Sequence, residues 1–219
     1  MSTAVAEAKS TLQLFDKQVR KAFYDPLVEN NPVTVQVLGV CSSLAVTTQV
    51  KQALIMGIAV TLCTAFSNLA LAAIRNYIPS SIRIIVQLAV ISVLVIVVDE
   101  VLAAYMYDLE KKLSVFIGLI ITNCILMGRA EAYAMGNPPW PSFVDGLGNG
   151  LGYAGVLLAV GTVREIFGSG SWFGFRVIPE AAYSFGYVNN GMMVLAPGAF
   201  VLLGMLIWAM RTWTGFEET

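Results

Sequence analysis

Two cysteines stand in matching positions within two short, nearly charge-free apolar segments of the chain. Cys41 lies in residues 32–48, and Cys124 lies in residues 113–128. Both segments are too apolar for loops and somewhat short to cross a bilayer, which takes about 20 residues in a helix. A thiol in such a segment can ligate a metal, meet a second sulfur or pack as a small apolar group. Cys41 and Cys124 are therefore the residues best suited to chemistry.

A metal site built on these two thiols needs ligands from elsewhere. The sequence contains no histidine, so the commonest metal ligand is absent. Two thiolates do not complete a tetrahedral shell, and a [2Fe–2S] cluster takes four protein ligands. A cluster held here would require two more cysteines from another chain. On spacing alone, inert packing is the more frequent role of a buried cysteine, and we interpret the third one, Cys63, in that way.

Composition indicates a small all-α integral membrane protein. Hydrophobic residues make up 57% of the chain and charged residues 12%, with a mean hydropathy of +0.74. A soluble domain carries about a quarter charged residues. The net charge of -1 argues against a nucleic-acid partner and against a polybasic membrane patch. Three cysteines far apart in apolar sequence do not form a disulfide framework.

Charged residues divide the chain into six segments that we expect to be transmembrane. They are residues 32–48, 52–74, 81–107, 113–128, 146–166 and 191–210. They form two sets of three, residues 32–107 and 113–212, each opened by a short cysteine-bearing segment that could be a half-helix. Three crossings per set make the halves an inverted repeat, whose site usually lies at the midplane. The helical rise places both cysteines near the middle of the hydrocarbon core, arriving from opposite faces.

The first 31 residues differ from the single six-helix membrane domain expected over residues 32–212. Apolar residues recur there every three or four positions, with lysine and arginine elsewhere, which predicts an amphipathic helix. Such a helix lies on the membrane surface or docks to a partner subunit. More lysines and arginines fall in the connections on the side of the termini, which predicts that both termini are cytoplasmic.

A glycine-rich run at residues 146–152 superficially resembles a nucleotide-binding loop. No strand precedes it, and no acidic residue follows at the required distance, so we reject that interpretation. Small residues at this spacing fit close helix contact instead. We expect Arg129 and Glu131, two residues apart, to form an ion pair at the membrane interface.

Several stretches of the sequence resemble the D subunits of the Na+-translocating NADH:quinone reductase (Nqr) family. The matching stretches are residues 37–48, 74–79, 83–87, 95–99, 118–132, 141–146, 148–153 and 195–197. The resemblance covers residues 30–213, and the N-terminal extension is longer than the family pattern. The related E subunit of the Rnf complex shares residues 122–124 and 128–132, but it differs after the first cysteine, where that family has proline.

The resemblance implies a multi-pass subunit of the bacterial inner membrane. Its partner would be a similar subunit of opposite orientation, the Nqr E subunit, within a complex that also holds the A, B, C and F subunits. Cys41 and Cys124 would supply half the ligands of an intramembrane [2Fe–2S] cluster shared with the E subunit. The cluster would carry electrons across the bilayer, coupled to Na+ translocation. Alone, the chain would have no NADH-oxidising activity.

Three acidic residues are candidates for an ion path. Asp99 and Glu100 stand near the end of the third segment, and Asp145 opens the fifth. Carboxylates within membrane segments indicate function, and oxygen ligands suit a hard cation such as Na+. Alternatively, all three mark helix ends at the headgroups. That alternative is weakest for Asp99, which follows the apolar run of residues 95–98.

Two further interpretations stay open. The chain could be a secondary transporter or channel-like subunit in which the cysteines are structural, or a scaffold within a complex. The small and polar residues that flank the cysteines either shape a cluster site or pack helices closely. These flanking residues are Gly39, Ser42, Gly118, Thr122 and Asn123.

Overall fold

The computed structural model describes five stretches of the chain. They are residues 19–27, 30–105, 118–172, 175–176 and 191–214. Most of the expected amphipathic segment, residues 1–18, lies outside them. So do residues 106–117, which include the beginning of the fourth expected segment.

The described chain is almost entirely helical. The helices are α1 (Val40–Val46), α2 (Val50–Ile74), α3 (Arg83–Tyr105), α4 (Cys124–Arg129), α5 (Pro139–Ser169), α6 (Gly191–Val194) and α7 (Ala196–Thr214). Residues 19–24 and 118–121 are also helical. Short 3-10 turns lie at Asp25–Leu27, Arg75–Tyr77 and Ser80–Ile82, and a π-helical turn lies at Ala130–Ala134. Two paired two-residue strands follow α5, β1 (Ser171–Trp172) and β2 (Phe175–Arg176), which run antiparallel.

Four helices of the described chain, rather than six, are long and apolar enough to cross a membrane. They are α2, α3, α5 and α7, and they correspond to the predicted segments 52–74, 81–107, 146–166 and 191–210. The break between α2 and α3 falls at Pro79, whose ring removes a backbone donor. Helix α5 begins earlier than expected, at Pro139, because proline is well tolerated in the first helical turn.

The two cysteine-bearing segments form short helices instead of continuous spans. Helix α1 has seven residues and α4 has six. Gly39 adopts a left-handed conformation with φ of 76° just before α1. The extended backbone of Asn123 comes just before α4 and separates it from the helical residues 118–121. In each half of the described chain, a short helix thus precedes two long ones.

Helices α2 and α5 pack closely in antiparallel orientation. A Cβ atom added to Gly150 would lie 2.5 Å from the Cα of Thr61, and one added to Gly146 would lie 2.7 Å from the Cα of Ala65. Glycine at these positions lets the two backbones meet, as in other membrane helix pairs. The interpretation of the run 146–152 as a helix-contact surface is confirmed for these glycines.

Hydrogen bonds to α5 and to the residues just before it hold both ends of α2. The Oε2 atom of Glu165 accepts a hydrogen bond of 2.7 Å from the backbone N–H of Val50, the first residue of α2. Arg75, immediately after α2, donates to the backbone oxygen of Asn137 at 2.7 Å. Helix α2 is therefore fixed against α5 at both ends as well as through the glycine contacts.

The described end of the N-terminal segment packs on α5 of the same chain. A Cβ atom on Gly148 would lie 2.8 Å from the backbone oxygen of Phe23, and one on Gly152 would lie 2.6 Å from that of Pro26. Pro26 is buried. Residues 19–27 thus belong to the folded membrane unit, because two glycines leave room for their backbone on α5.

The α2–α5 contact predicts different effects for two glycine substitutions in one helix. Gly150→Ala places a methyl group against the backbone of Thr61 and should cost about 1–3 kcal/mol through overpacking. Gly155→Ala is the matched control, because a Cβ at Gly155 meets no atom within 4 Å. The apparent melting temperature of the detergent-solubilised protein should fall for Gly150→Ala and not for Gly155→Ala. Equal melting temperatures for both variants would contradict the close contact.

Candidate metal centre

The structure brings together the two cysteines that the sequence singled out. Their Sγ atoms lie 3.9 Å apart, although the residues are 83 positions apart in the chain. Cys41 is the second residue of α1, and Cys124 is the first residue of α4. Both thiols are exposed at the surface of the chain, whereas Cys63 is buried in α2. Cys41 and Cys124 are called the sulfur pair below.

The backbone before Cys41 lies directly on the residue after Cys124. A Cβ atom on Gly39 would be 2.6 Å from the Cδ1 atom of Ile125 and 3.1 Å from the Cε2 atom of Tyr153. Glycine is required there for two reasons, since its φ of 76° is also unfavourable for residues with a side chain. The sequence analysis named two glycines that flank the cysteines, Gly39 and Gly118. Gly39 makes this close approach, whereas a Cβ on Gly118 would meet nothing within 4 Å.

Three buried polar side chains lie beside the sulfur pair and connect three elements. The Oγ atom of Ser42 lies 2.7 Å from the hydroxyl oxygen of Tyr153 and accepts a hydrogen bond of 3.2 Å from Nδ2 of Asn123. Asn123 also caps α4, because its Oδ1 atom accepts from the backbone N–H of Ile125 at 3.2 Å. Ser42 and Asn123 were noted from the sequence as neighbours of the cysteines. Tyr153 was missed as a site residue.

Tyr153 marks the height of the sulfur pair along the longest helix. It lies close to the middle of α5, which has 31 residues and is therefore roughly 46 Å long. Its side chain is fully buried and reaches the residue next to Cys41. The sulfur pair consequently lies at about half the height of α5, far from either end.

Within the described chain, the sulfur pair could offer a metal ion no more than two ligands. No group of three or more histidine, cysteine, aspartate or glutamate side chains is close enough to hold a metal ion in that part of the chain. Apolar side chains nearby in sequence are also exposed, with 52% of Val37 and 39% of Met127 accessible. The two thiols therefore face outward from the chain in mainly apolar surroundings.

The three acidic candidates do not form one site. Asp145 is buried in α5 and forms an ion pair with Arg129, whose Nε atom lies 3.0 Å from Oδ2 of Asp145. Asn149 donates to the other carboxylate oxygen at 3.1 Å. The expected ion pair between Arg129 and Glu131 was wrong, because Arg129 turns to the buried carboxylate. The Oε1 atom of Glu131 instead lies 3.1 Å from Arg83 at the beginning of α3.

Asp99 and Glu100 lie near the other end of α3. Asp99 is sixteen positions beyond Arg83, a distance of roughly 24 Å along the helix. The Oδ1 atom of Asp99 is buried and accepts no hydrogen bond from the described residues. Glu100 is exposed. Of the three carboxylates, Asp99 is the one that has a buried oxygen left without a partner in the described chain.

A polar cavity of about 470 Å³ borders the ion pair between Arg129 and Asp145. It contains two carboxylates and two cationic groups, so its lining carries little net charge. The residues that line it are Lys21, Ala22, Asp25, Pro26, Asn30, Gln36, Arg129, Tyr133, Asn137 and Asp145. Asp145 thus lines a polar cavity while its charge is balanced by Arg129.

Comparison with known proteins identifies the family. The model of the Rnf-Nqr subunits, described as membrane proteins, matches residues 19–207. The chain belongs to the Rnf-Nqr family. The match to the Rnf-Nqr model includes the sulfur pair, Tyr153 and Asp99, and it leaves the first 18 residues outside.

Relatives within the Rnf-Nqr family share more than half of their residues with the chain. A protein of Aeromonas hydrophila, named as the D subunit of a Na(+)-translocating NADH-quinone reductase, is 60% identical over 195 residues, which are 89% of this chain and 93% of the relative. Proteins of the same name from Proteus mirabilis and Shewanella oneidensis are 59% and 58% identical, each covering 90% of this chain and 94% of the relative. The resemblance seen in the sequence is therefore confirmed.

The distance between the sulfurs predicts rapid cross-linking of the sulfur pair. In the full chain expressed in membranes without other subunits, diamide should oxidise Cys41 and Cys124 to a disulfide and take up the two electrons and two protons released. A bond of about 2.05 Å requires only a small approach from 3.9 Å. Proteolysis between the two cysteines, followed by non-reducing electrophoresis, detects the link.

The control for this experiment is a set of single variants. Cys63→Ser should cross-link as the parent does, whereas Cys41→Ser and Cys124→Ser should not cross-link at all. A link that disappears in Cys63→Ser, or that never forms in the parent, would contradict the observed pairing of Cys41 with Cys124.

Proposed function

We propose that the chain is a membrane subunit of a redox-driven sodium pump, a Na+-translocating NADH:quinone reductase. In this proposal Cys41 and Cys124 supply half the ligands of an intramembrane [2Fe–2S] cluster, which carries electrons across the bilayer in a step coupled to Na+ translocation. The observation that carries the proposal is the sulfur pair, 3.9 Å apart and exposed. The names of the relatives supply the sodium-pump context.

The sulfur pair fits the requirements of such a cluster. Two thiolates bound to one tetrahedral metal at about 2.3 Å would be separated by roughly 3.8 Å, close to the observed 3.9 Å. Both thiols are exposed, which leaves the remaining ligand positions open to another chain. A bound cluster would supply one-electron transfer. The residues present therefore fit two of the four ligands of a [2Fe–2S] cluster.

The missing ligands would come from a second subunit of the same complex. The chain offers two sulfurs where a [2Fe–2S] cluster needs four protein ligands. A similar subunit of opposite orientation, the Nqr E subunit, would add two more across the exposed face of the sulfur pair. The A, B, C and F subunits would provide the remaining electron-transfer partners. Without them, the chain should have no NADH-oxidising activity.

The arrangement in the membrane follows the same proposal. A short helix followed by long helices occurs twice in the described chain, which supports an inverted repeat whose two short helices meet tip to tip. Three arginines lie close together near the same ends of the long helices. Arg75 contacts Asn137, Arg83 contacts Glu131, and Arg129 contacts Asp145. By the positive-inside rule this region would be cytoplasmic, in the inner membrane of a bacterium, with both termini on that side.

Asp99 is the leading residue for an ion path in this proposal. An added electron places negative charge in a medium of low dielectric constant, and a cation moving toward it would compensate. Na+ needs oxygen ligands, and the Oδ1 atom of Asp99 is buried without a partner in the described chain. Asp145 is second, because Arg129 already balances its charge. Glu100 is third, because it is exposed.

The polar cavity beside Asp145 favours the alternative, an ion-conducting subunit with structural cysteines. It would allow water and small ions to approach the ion pair between Arg129 and Asp145, which borders it. The two functions differ in their dependence on the cysteines, since ion conduction alone would continue without them.

Removal of one sulfur tests the proposed function. In the purified complex with assembly verified, Cys124→Ala should lower the iron and acid-labile sulfide contents and abolish one [2Fe–2S] EPR signal, because a ligand is lost. Turnover with NADH and quinone should fall by at least about 100-fold. Cys63→Ala is the control and should retain iron, signal and turnover. Unchanged iron and turnover in Cys124→Ala would end the redox proposal and favour the ion-conducting alternative.

Substitution of Asp99 tests its proposed role in the ion path. Asp99→Asn removes the negative charge while keeping the shape, so the Na+ concentration for half-maximal turnover should rise about tenfold, equivalent to about 1.4 kcal/mol. Glu100→Gln removes a neighbouring exposed charge and should change this concentration by less than about twofold. Equal Na+ dependence in the parent and in Asp99→Asn would exclude Asp99 from the path.

A further inference from the structure

Three buried polar side chains connect the tips of the two short helices to α5. Ser42 directly follows Cys41, Asn123 directly precedes Cys124, and Tyr153 lies at the middle of α5. Each is nearly or completely inaccessible, with exposures of 1% for Ser42, 1% for Asn123 and 0% for Tyr153. These three residues are called the polar bridge below.

The hydrogen bonds of the polar bridge use the full capacity of the Ser42 hydroxyl. A hydroxyl has one proton to donate and two lone pairs to accept. Ser42 donates to the backbone oxygen of Gly39 at 3.0 Å and accepts from Nδ2 of Asn123 at 3.2 Å. The second lone pair is thus left for the Tyr153 hydroxyl, 2.7 Å away, which acts as the donor. Tyr153 therefore provides the third hydrogen bond of the Ser42 hydroxyl, which joins both short helices.

The polar bridge connects parts of the chain that are far apart in sequence. Ser42 belongs to α1 and Asn123 caps α4, and a hydrogen bond to the serine hydroxyl joins their side chains. Tyr153 holds that hydroxyl against α5, the longest helix of the described chain. Any displacement of α1 relative to α4 would change the distance between the sulfurs and also stretch the polar bridge.

We propose that Tyr153 is a positioning residue for the sulfur pair. Through Ser42 and Asn123, its hydroxyl fixes the relative position of the two short helices and holds the sulfurs at a separation suited to two ligands of one metal ion. It also orients the dipoles of the bridge within a buried site, where they affect the reduction potential of a bound cluster. The inference deepens the proposed function. Its statement about the reduction potential rests on the proposed cluster, whereas its statement about the sulfur separation concerns this chain by itself.

The first test measures metal affinity of the sulfur pair without a cluster. The full chain is expressed in membranes without other subunits, reduced, and titrated with Cd2+, a thiophilic ion that displaces the two thiol protons. The cadmium–thiolate charge-transfer absorption reports binding. Tyr153→Phe keeps the ring against Gly39 and removes only the hydroxyl. Its affinity for Cd2+ should fall about fivefold, as expected for the loss of one buried hydrogen bond.

Matched variants separate positioning from general loss of packing. Tyr77→Phe alters a tyrosine that is 88% exposed and should bind Cd2+ as the parent does. Ser42→Ala removes the acceptor at the centre of the bridge and should weaken binding at least as much as Tyr153→Phe. The double variant should be no weaker than Ser42→Ala alone, because both substitutions interrupt one path. Ser42→Ala also tests the bridge if Tyr153→Phe fails to fold.

The second test uses the assembled complex. At the midpoint potential of the parent, the fraction of reduced [2Fe–2S] signal in Tyr153→Phe should differ from the parental fraction, because the hydroxyl that orients the dipoles of the polar bridge is lost. The iron content of Tyr153→Phe should equal that of the parent, whereas a general loss of folding would lower it.

The two tests fail in different ways. Parental Cd2+ affinity in both Tyr153→Phe and Ser42→Ala would overturn the positioning role, whatever the complex contains. Absence of a [2Fe–2S] signal from the parental complex would overturn the proposed function, while a weakened Cd2+ affinity in the variants would still support the positioning role of Tyr153.

Discussion

The close antiparallel contact between α2 and α5 is the constraint on which the rest of the structure depends. Glycines at 146 and 150 allow the backbones of the two helices to touch, so α5 is held in one position along its length. Tyr153 follows Gly150 by less than one turn, and its height is therefore fixed by the same contact. Tyr153 contacts Gly39 and Ser42 at the beginning of α1, and Ser42 accepts a hydrogen bond from Asn123 at the beginning of α4. The packing of two long helices therefore determines where the two sulfurs meet.

Helices that end within an apolar layer create a second constraint. Backbone N–H and C=O groups at such ends lack intrahelical partners and cannot be left unsatisfied in lipid. Asn123 supplies an acceptor at the beginning of α4. Arg164, buried in α5, donates to the backbone oxygen of Leu44 at 3.1 Å and to that of Val194 at 2.7 Å, near the ends of α1 and α6. The acceptors of the buried Arg164 guanidinium in these contacts are backbone carbonyl groups. Its burial is explained because it satisfies carbonyl groups near two helix ends.

The sequence predicted local features well and tertiary pairings poorly. The positions of charged residues located the four long helices, and the matching positions of Cys41 and Cys124 identified the sulfur pair. The start of α5 was missed because Asp145 looked like a boundary, whereas it is a buried residue paired with Arg129. That ion pair joins residues sixteen positions apart, and no local pattern distinguishes it from the expected pair with Glu131. Tyr153 was missed for the same reason, since its hydroxyl finds a partner 111 positions away.

The exposure of the sulfur pair distinguishes it from a pair of cysteines that merely pack. A thiol that merely filled space would be buried, as Cys63 is, because the chain has ample apolar core to receive it. Cys41 and Cys124 instead lie at the surface, although the backbone around them is fixed by a left-handed glycine, a helix cap and three buried polar groups. Such a rigid surround keeps two outward-facing sulfurs at a constant separation, which is what the proposed shared metal site would require. In the proposed function, the sulfur pair would therefore be preorganised, and a second subunit would contribute ligands without reshaping this chain.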